Sequence, residues 1–172
     1  CGYTALFLPR DILPHYLLKF PEALIAPISD GGRVAFTEKN FEKLLSFDSI
    51  AFGMGTGISE DVFSAVQFLL REYTGRLIQD ADALNSLAKY GKGRMGEIFE
   101  EKKCDVLLTP HVKEFSRLTG ESVKDILHKG LDSPREFAGK FGVSVLLKGA
   151  STVIACPTGT AVTLSGTPGQ AK

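Results

Sequence analysis

Asp105-Val106-Leu107-Leu108-Thr109-Pro110-His111-Val112-Lys113-Glu114-Phe115 is the stretch that decides how this chain folds. Asp105 to Leu108 predicts a short buried strand, and a helix follows at once. Thr109 reads as its N-cap, Pro110 as its first residue and Gly120 as the stop after Leu118. A strand passing directly into a helix is the repeating unit of a parallel sheet, and ligands of open α/β sheets bind outside the carboxyl ends of the strands. His111 is thereby expected at a helix N-terminus, beside N–H groups that suit an anion. The plainer alternative is an ordinary connecting loop with a solvated histidine.

Outward from this stretch the same alternation recurs. Strands are predicted at Tyr3 to Leu8, Ala23 to Pro27, Asp48 to Phe52, Arg76 to Gln79 and Val143 to Leu147. Asp61 to Tyr73 carries Val62, Val66, Leu69 and Leu70 at one-face helical spacing, with Ser59 as N-cap and Glu60 and Asp61 in an acidic first turn. Ser133-Pro134-Arg135-Glu136 reads as a capping box with proline at the first helical position; its helix carries Phe137 and Phe141 and stops at Gly142. After Lys148, the runs Thr152 to Cys156 and Thr160 to Leu164, joined by Pro157-Thr158-Gly159, predict a β-hairpin. The expected class is α/β, a mostly parallel sheet with helices on both faces and a C-terminal antiparallel hairpin edge.

Composition narrows the function. With 172 residues, 44% hydrophobic and 23% charged, the chain suits a single globular domain. A net charge of zero without a basic run argues against nucleic acid and anionic membranes as partners and favours small molecules. No apolar run approaches the roughly 20 residues a membrane span needs, and no secretory segment opens the chain, so a cytoplasmic location is expected. The three cysteines, Cys1, Cys104 and Cys156, lie far apart without metal-ligand spacing and read as reduced thiols. Cys1 opens inside an apolar run, and the loop from Gly166 to Lys172 leads into no further element. A chain truncated at both ends is therefore expected.

Three further strand ends carry chemistry. Gly53-Met54-Gly55-Thr56-Gly57 offers close backbone approach to a ligand, or simply a tight turn. Asp80-Ala81-Asp82-Ala83-Leu84-Asn85 follows a strand with two carboxylates and an amide, which could bind hydroxyls, hold a metal through water, or cap a helix. Lys148-Gly149-Ala150-Ser151-Thr152 joins a cation, a permissive glycine and two hydroxyls, a set suited to phosphate; a solvated lysine at a strand end is the alternative. His15 and His128 have no partner at ligand spacing.

Taken together and in this order, these segments resemble the ADP- or ATP-dependent NAD(P)H-hydrate dehydratases, carbohydrate-kinase-like enzymes with a ribokinase-like three-layer sandwich. The matching stretches are Gly53 to Gly57, Asp80 to Asn85, Leu108 to Gly120, Leu147 to Thr152 and Gly166 to Gly169, nearly the whole chain. The resemblance implies repair of NADH or NADPH whose nicotinamide ring has been hydrated: a nucleotide phosphorylates the ring hydroxyl, and loss of phosphate restores the double bond. It implies that Gly55, Gly57 and His111 contact the dinucleotide, with Asp80 and Asn85 bordering its crevice. Lys148, Gly149, Ala150, Ser151 and Thr152 would line the nucleotide. Mg2+ is expected with no ligand to name, and a homo-oligomer is expected from the family. The family continues past its Gly-Thr-Pro-Gly stretch into Gly-Gly-Ser-Gly-Asp, whose Asp is the catalytic base. This chain ends at Lys172, so no catalytic residue and no activity are expected from these residues alone. Two alternatives stand beside this reading: a ribokinase-like small-molecule kinase of the hydroxymethylpyrimidine type, and a non-catalytic nucleotide-binding module.

Overall fold

The computed structural model describes residues 2–165; Cys1 and the 166–169 run of the resemblance lie outside the described residues. Two short strands, β1 (Ala5–Pro9) and β2 (Leu24–Ser29), pair in parallel as a sheet of their own, with α1 (Leu13–Leu17) between them. After α2 (Glu38–Phe41) comes the larger, six-stranded sheet. Its strands stand side by side in chain order: β3 (Ser49–Phe52), β4 (Arg76–Gln79), β5 (Asp105–Leu108), β6 (Ser144–Leu147), β7 (Ser151–Ala155) and β8 (Ala161–Ser165). The first four run parallel, and β7 and β8 are antiparallel. The hairpin turns at Gly159, whose φ of 80° an L side chain rarely adopts.

The helices are α3 (Glu60–Glu72), α4 (Ala81–Tyr90), α5 (Met95–Glu100), α6 (Val112–Thr119), α7 (Val123–Lys129) and α8 (Asp132–Phe141). Because β3 to β6 advance in one direction, right-handed crossovers put all six on the same face of the sheet. Burial follows. Ile50, Phe52, Leu77, Gln79, Val106, Leu108, Val145 and Leu147 are buried, whereas Ala51 between them is exposed and Ile78, Leu107 and Leu146 are half-buried. The second helical layer of the expected sandwich is not among these crossovers. The parallel sheet and its antiparallel edge are as the sequence suggests.

Ser59 caps α3 as expected, accepting from the Val62 N–H at 3.2 Å, and Gly120 and Gly142 end α6 and α8 in the left-handed region. Two caps differ from expectation. Helix α6 begins after His111, not after Thr109: the buried Pro110 stays outside it, and its carbonyl accepts the Lys148 N–H at 2.8 Å. Helix α8 begins at Asp132, and Ser133 lies inside it without capping. Its buried hydroxyl donates instead to Glu121 Oε2 at 3.2 Å, tying α8 to the end of α6.

Candidate functional site

The four parallel strands end on one edge, and their hydrogen-bond ladder runs a step beyond them. Asp80 N–H donates to the Phe52 carbonyl at 3.1 Å, Thr109 N–H to that of Gln79 at 3.0 Å, and Lys148 N–H to that of Pro110 at 2.8 Å. His111 and Lys148 form a parallel bridge outside the named strands. The turns after β3, β4, β5 and β6 are thereby fixed beside one another, and most of the residues singled out in the sequence meet there.

The glycines of the β3 turn divide into two kinds. Gly53 is buried with φ 117°, and a Cβ there would stand 2.1 Å from the Asp80 carbonyl oxygen and 2.5 Å from Ala83 Cβ. It is the contact that lets the β3 turn lie on the start of α4. Gly55 and Gly57 also have positive φ, but a Cβ on either would meet open space, so they present bare backbone to solvent. Gly57 N–H donates to Asp82 Oδ2 at 2.9 Å, which binds the glycine turn to α4.

Asp80 caps α4, its Oδ1 accepting from the Ala81 N–H at 2.8 Å. The same carboxylate receives Lys148 Nζ at 2.8 and 3.0 Å, joining residues 68 apart in sequence. Their side chains are 25% and 36% exposed, so the pair is partly shielded from bulk water. Ala81, with φ 49°, is the single non-glycine residue in the left-handed region among those described.

His111 caps α6 with its own ring. Nδ1 accepts from the N–H groups of Lys113 at 3.1 Å and Glu114 at 3.2 Å, so Nδ1 bears a lone pair and Nε2 the proton. The buried Glu114 completes the capping box, with Oε2 accepting the His111 N–H at 2.9 Å and Oε1 lying 3.4 Å from Nε2. The amides expected to await an anion here are therefore already engaged by the histidine.

Asn85 is engaged between two helices. It lies a turn along α4, where its Nδ2 donates to the Ala81 carbonyl at 2.9 Å and its Oδ1 accepts from Arg117 Nη1 of α6 at 2.8 Å. Gly149 sits beside the first turn of α6, 3.8 Å from Val112 Cγ2 to an ideal Cβ, while Ser151 and Thr152 open β7. Gly53, Asp82 and Glu114 stood inside the stretches singled out from the sequence, but their structural parts were not read; the His-x-x-Glu spacing of a capping box was the available signal for the last.

Among the described residues no cluster of three or more His, Cys, Asp or Glu side chains is placed to hold a metal ion. Asp80, Asp82 and Glu114 are each engaged within the protein. Cys104 is buried with its thiol pushed up to about 11, chiefly because burial disfavours the thiolate, and Cys156 is a free half-buried thiol. No described helix is long and apolar enough to cross a membrane.

Compared with known proteins, residues 1–172 match the NAD(P)H-hydrate dehydratase family. The chain belongs to that family. A bifunctional NAD(P)H-hydrate repair enzyme of Thermofilum pendens is 37% identical over 99% of this chain, and the match takes up 32% of that relative. The ADP/ATP-dependent NAD(P)H-hydrate dehydratase of Bacillus subtilis, co-crystallised with ATP/Mg2+, superposes with a TM-score of 0.72 at 27% identity, over 95% of this chain and 53% of that one. A ribokinase-like superfamily protein of Enterococcus faecalis, at 18% identity and TM-score 0.72, supports the fold alone. This member of the dehydratase family thus spans about a third of its Thermofilum relative and about half of its Bacillus neighbour.

Proposed function

We infer that this chain forms part of a nucleotide-dependent NAD(P)H-hydrate dehydratase, a hydro-lyase that restores NADH or NADPH from its hydrate with release of phosphate from ADP or ATP. The observation that carries this reading is the convergence of the β3, β4, β5 and β6 turns on one sheet edge, in a chain belonging to the dehydratase family. Gly55, Gly57 and His111 form the side toward the hydrated dinucleotide, with Asp80 at its border. Lys148, with Gly149, Ala150, Ser151 and Thr152, forms the side toward the nucleotide. Asn85 acts in this reading through the α4–α6 contact it makes with Arg117, not as a ligand.

Chemically, these residues bind and orient. Bare glycine backbone admits a flat ring closely, and the ammonium of Lys148 supplies positive charge where phosphate charge collects. The carboxylates of Asp80, Asp82 and Glu114 hold protein groups at this edge. We also propose that residues 1–172 fold as one domain, supported by the continuous apolar cluster from Ile28 to Ala155. The protein is proposed to be cytoplasmic and homo-oligomeric.

The test is regeneration of NADH from its hydrate, followed at the absorbance of the reduced nicotinamide, with ADP or ATP supplied and the chain expressed with whatever flanks it in its gene. Recovery that needs the nucleotide and falls sharply in His111→Ala is expected. Phosphorylation of a hydroxymethylpyrimidine without NADH recovery would replace this reading with the vitamin-kinase alternative.

A further inference from the structure

We propose that Asp80 is the positioning residue for Lys148, holding its ammonium where the phosphates of a bound nucleotide meet it. A lysine has a flexible four-carbon stem, and a ligand that must immobilise it binds more weakly for doing so. Here the stem is fixed at both ends before any ligand arrives. Lys148 N–H is held by the Pro110 carbonyl at 2.8 Å, and Nζ by both oxygens of Asp80. An ammonium has three donors, so one is left for a ligand.

The support beneath is rigid. Asp80 N–H is tied to the Phe52 carbonyl, its own carbonyl accepts the Ala83 N–H at 3.2 Å, and Oδ1 accepts the Ala81 N–H. Gly53 packs so closely on that carbonyl that no side chain fits between. The left-handed Ala81 adjoins this knot, and backbone strain of this kind persists only where the surroundings over-determine it. The Asp80 and His111 side chains meanwhile engage the N–H groups of Ala81, Lys113 and Glu114, so the ammonium of Lys148 is the positive group this pair holds ready for an anion.

This rests on the nucleotide reading above, and the experiment separates the two. Calorimetry measures the affinity of ADP and of adenosine for the unaltered protein, Asp80→Asn, Lys148→Met and the double variant. Asparagine keeps an oxygen for the Ala81 N–H but not the charge for Nζ. Asp80→Asn is expected to weaken ADP roughly tenfold, the scale of one side chain left to be ordered by the ligand, with adenosine unchanged. The double variant should bind ADP no more weakly than Lys148→Met alone. ADP binding that is unchanged or tighter in Asp80→Asn overturns the proposal, as does equal weakening of ADP and adenosine, which would mark Asp80 as a helix cap only. If Lys148→Met binds ADP as the unaltered protein does, the nucleotide reading of Lys148 fails with it. Should Asp80→Asn not fold, Asp80→Ser, whose hydroxyl can still cap, carries the same comparison.

Discussion

The turns that begin α4 and α6 occupy equivalent places, each directly after a buried parallel strand on the same sheet edge, yet they are closed by opposite chemistry. At α4 a carboxylate caps the helix and also grips a lysine from two strands away. At α6 a neutral imidazole caps the helix and is steadied by a glutamate of its own first turn. The side chain that caps α4 is knotted to another strand's lysine, while the side chains that cap α6 bond only within their own turn, with half of the His111 side chain exposed. A helix start at a strand end is thus not automatically an anion seat; what the cap leaves unengaged decides.

The sharpest way to break the comparison is at Gly53. Gly53→Ala forces a methyl against the Asp80 carbonyl and strains a φ of 117°, and should cost about 3 kcal/mol in urea unfolding. Gly55→Ala, strained but with open space, should cost about 1 kcal/mol. Equal costs would mean that the β3 and α4 turns are not locked. On the α6 side, His111→Ala uncaps two amides and should cost about 1 kcal/mol, most of it restored by His111→Asn, a good cap. Binding of hydrated NADH should stay lost in both. If asparagine also restores binding, the imidazole serves the cap alone. Asp80→Ser retains a cap and removes a partly exposed ion pair, so its stability loss should stay near 0.5 kcal/mol.

A control outside both turns is Cys104. Its thiol keeps its proton to about 11 in the folded protein against an ordinary 9.0, so its contribution is fully present below pH 9.0 and is lost as pH rises through 11. Cys104→Ala should flatten that alkaline loss in denaturant midpoints without touching ligand binding.

The mostly parallel sheet and the hairpin edge were legible because short apolar runs bounded by turn residues leave few alternatives; β4 and β5 match the sequence reading residue for residue, whereas the order of the strands and the separate β1–β2 pair carry no local signal. The caps at Thr109 and Ser133 were not, because both residues prefer local hydrogen bonds that the tertiary structure replaces with others. The Pro110 carbonyl is held by the Lys148 N–H, and Ser133 is drawn to Glu121. Likewise Asp80 and Lys148 were each marked as site residues, but their pairing depends on strand register across β5, which no local pattern carries. The contact of Asn85 with Arg117 of α6 is likewise a tertiary pairing that the run of two aspartates and an amide does not carry.

The ladder that continues past Phe52, Gln79 and Pro110 has a consequence for motion. Amides of Asp80, Thr109 and Lys148 should exchange with deuterium as slowly as those of the strands themselves, since the crevice floor opens only when the sheet opens. Ligand entry would then be an event of side chains and bare glycine turns over a floor that stays still.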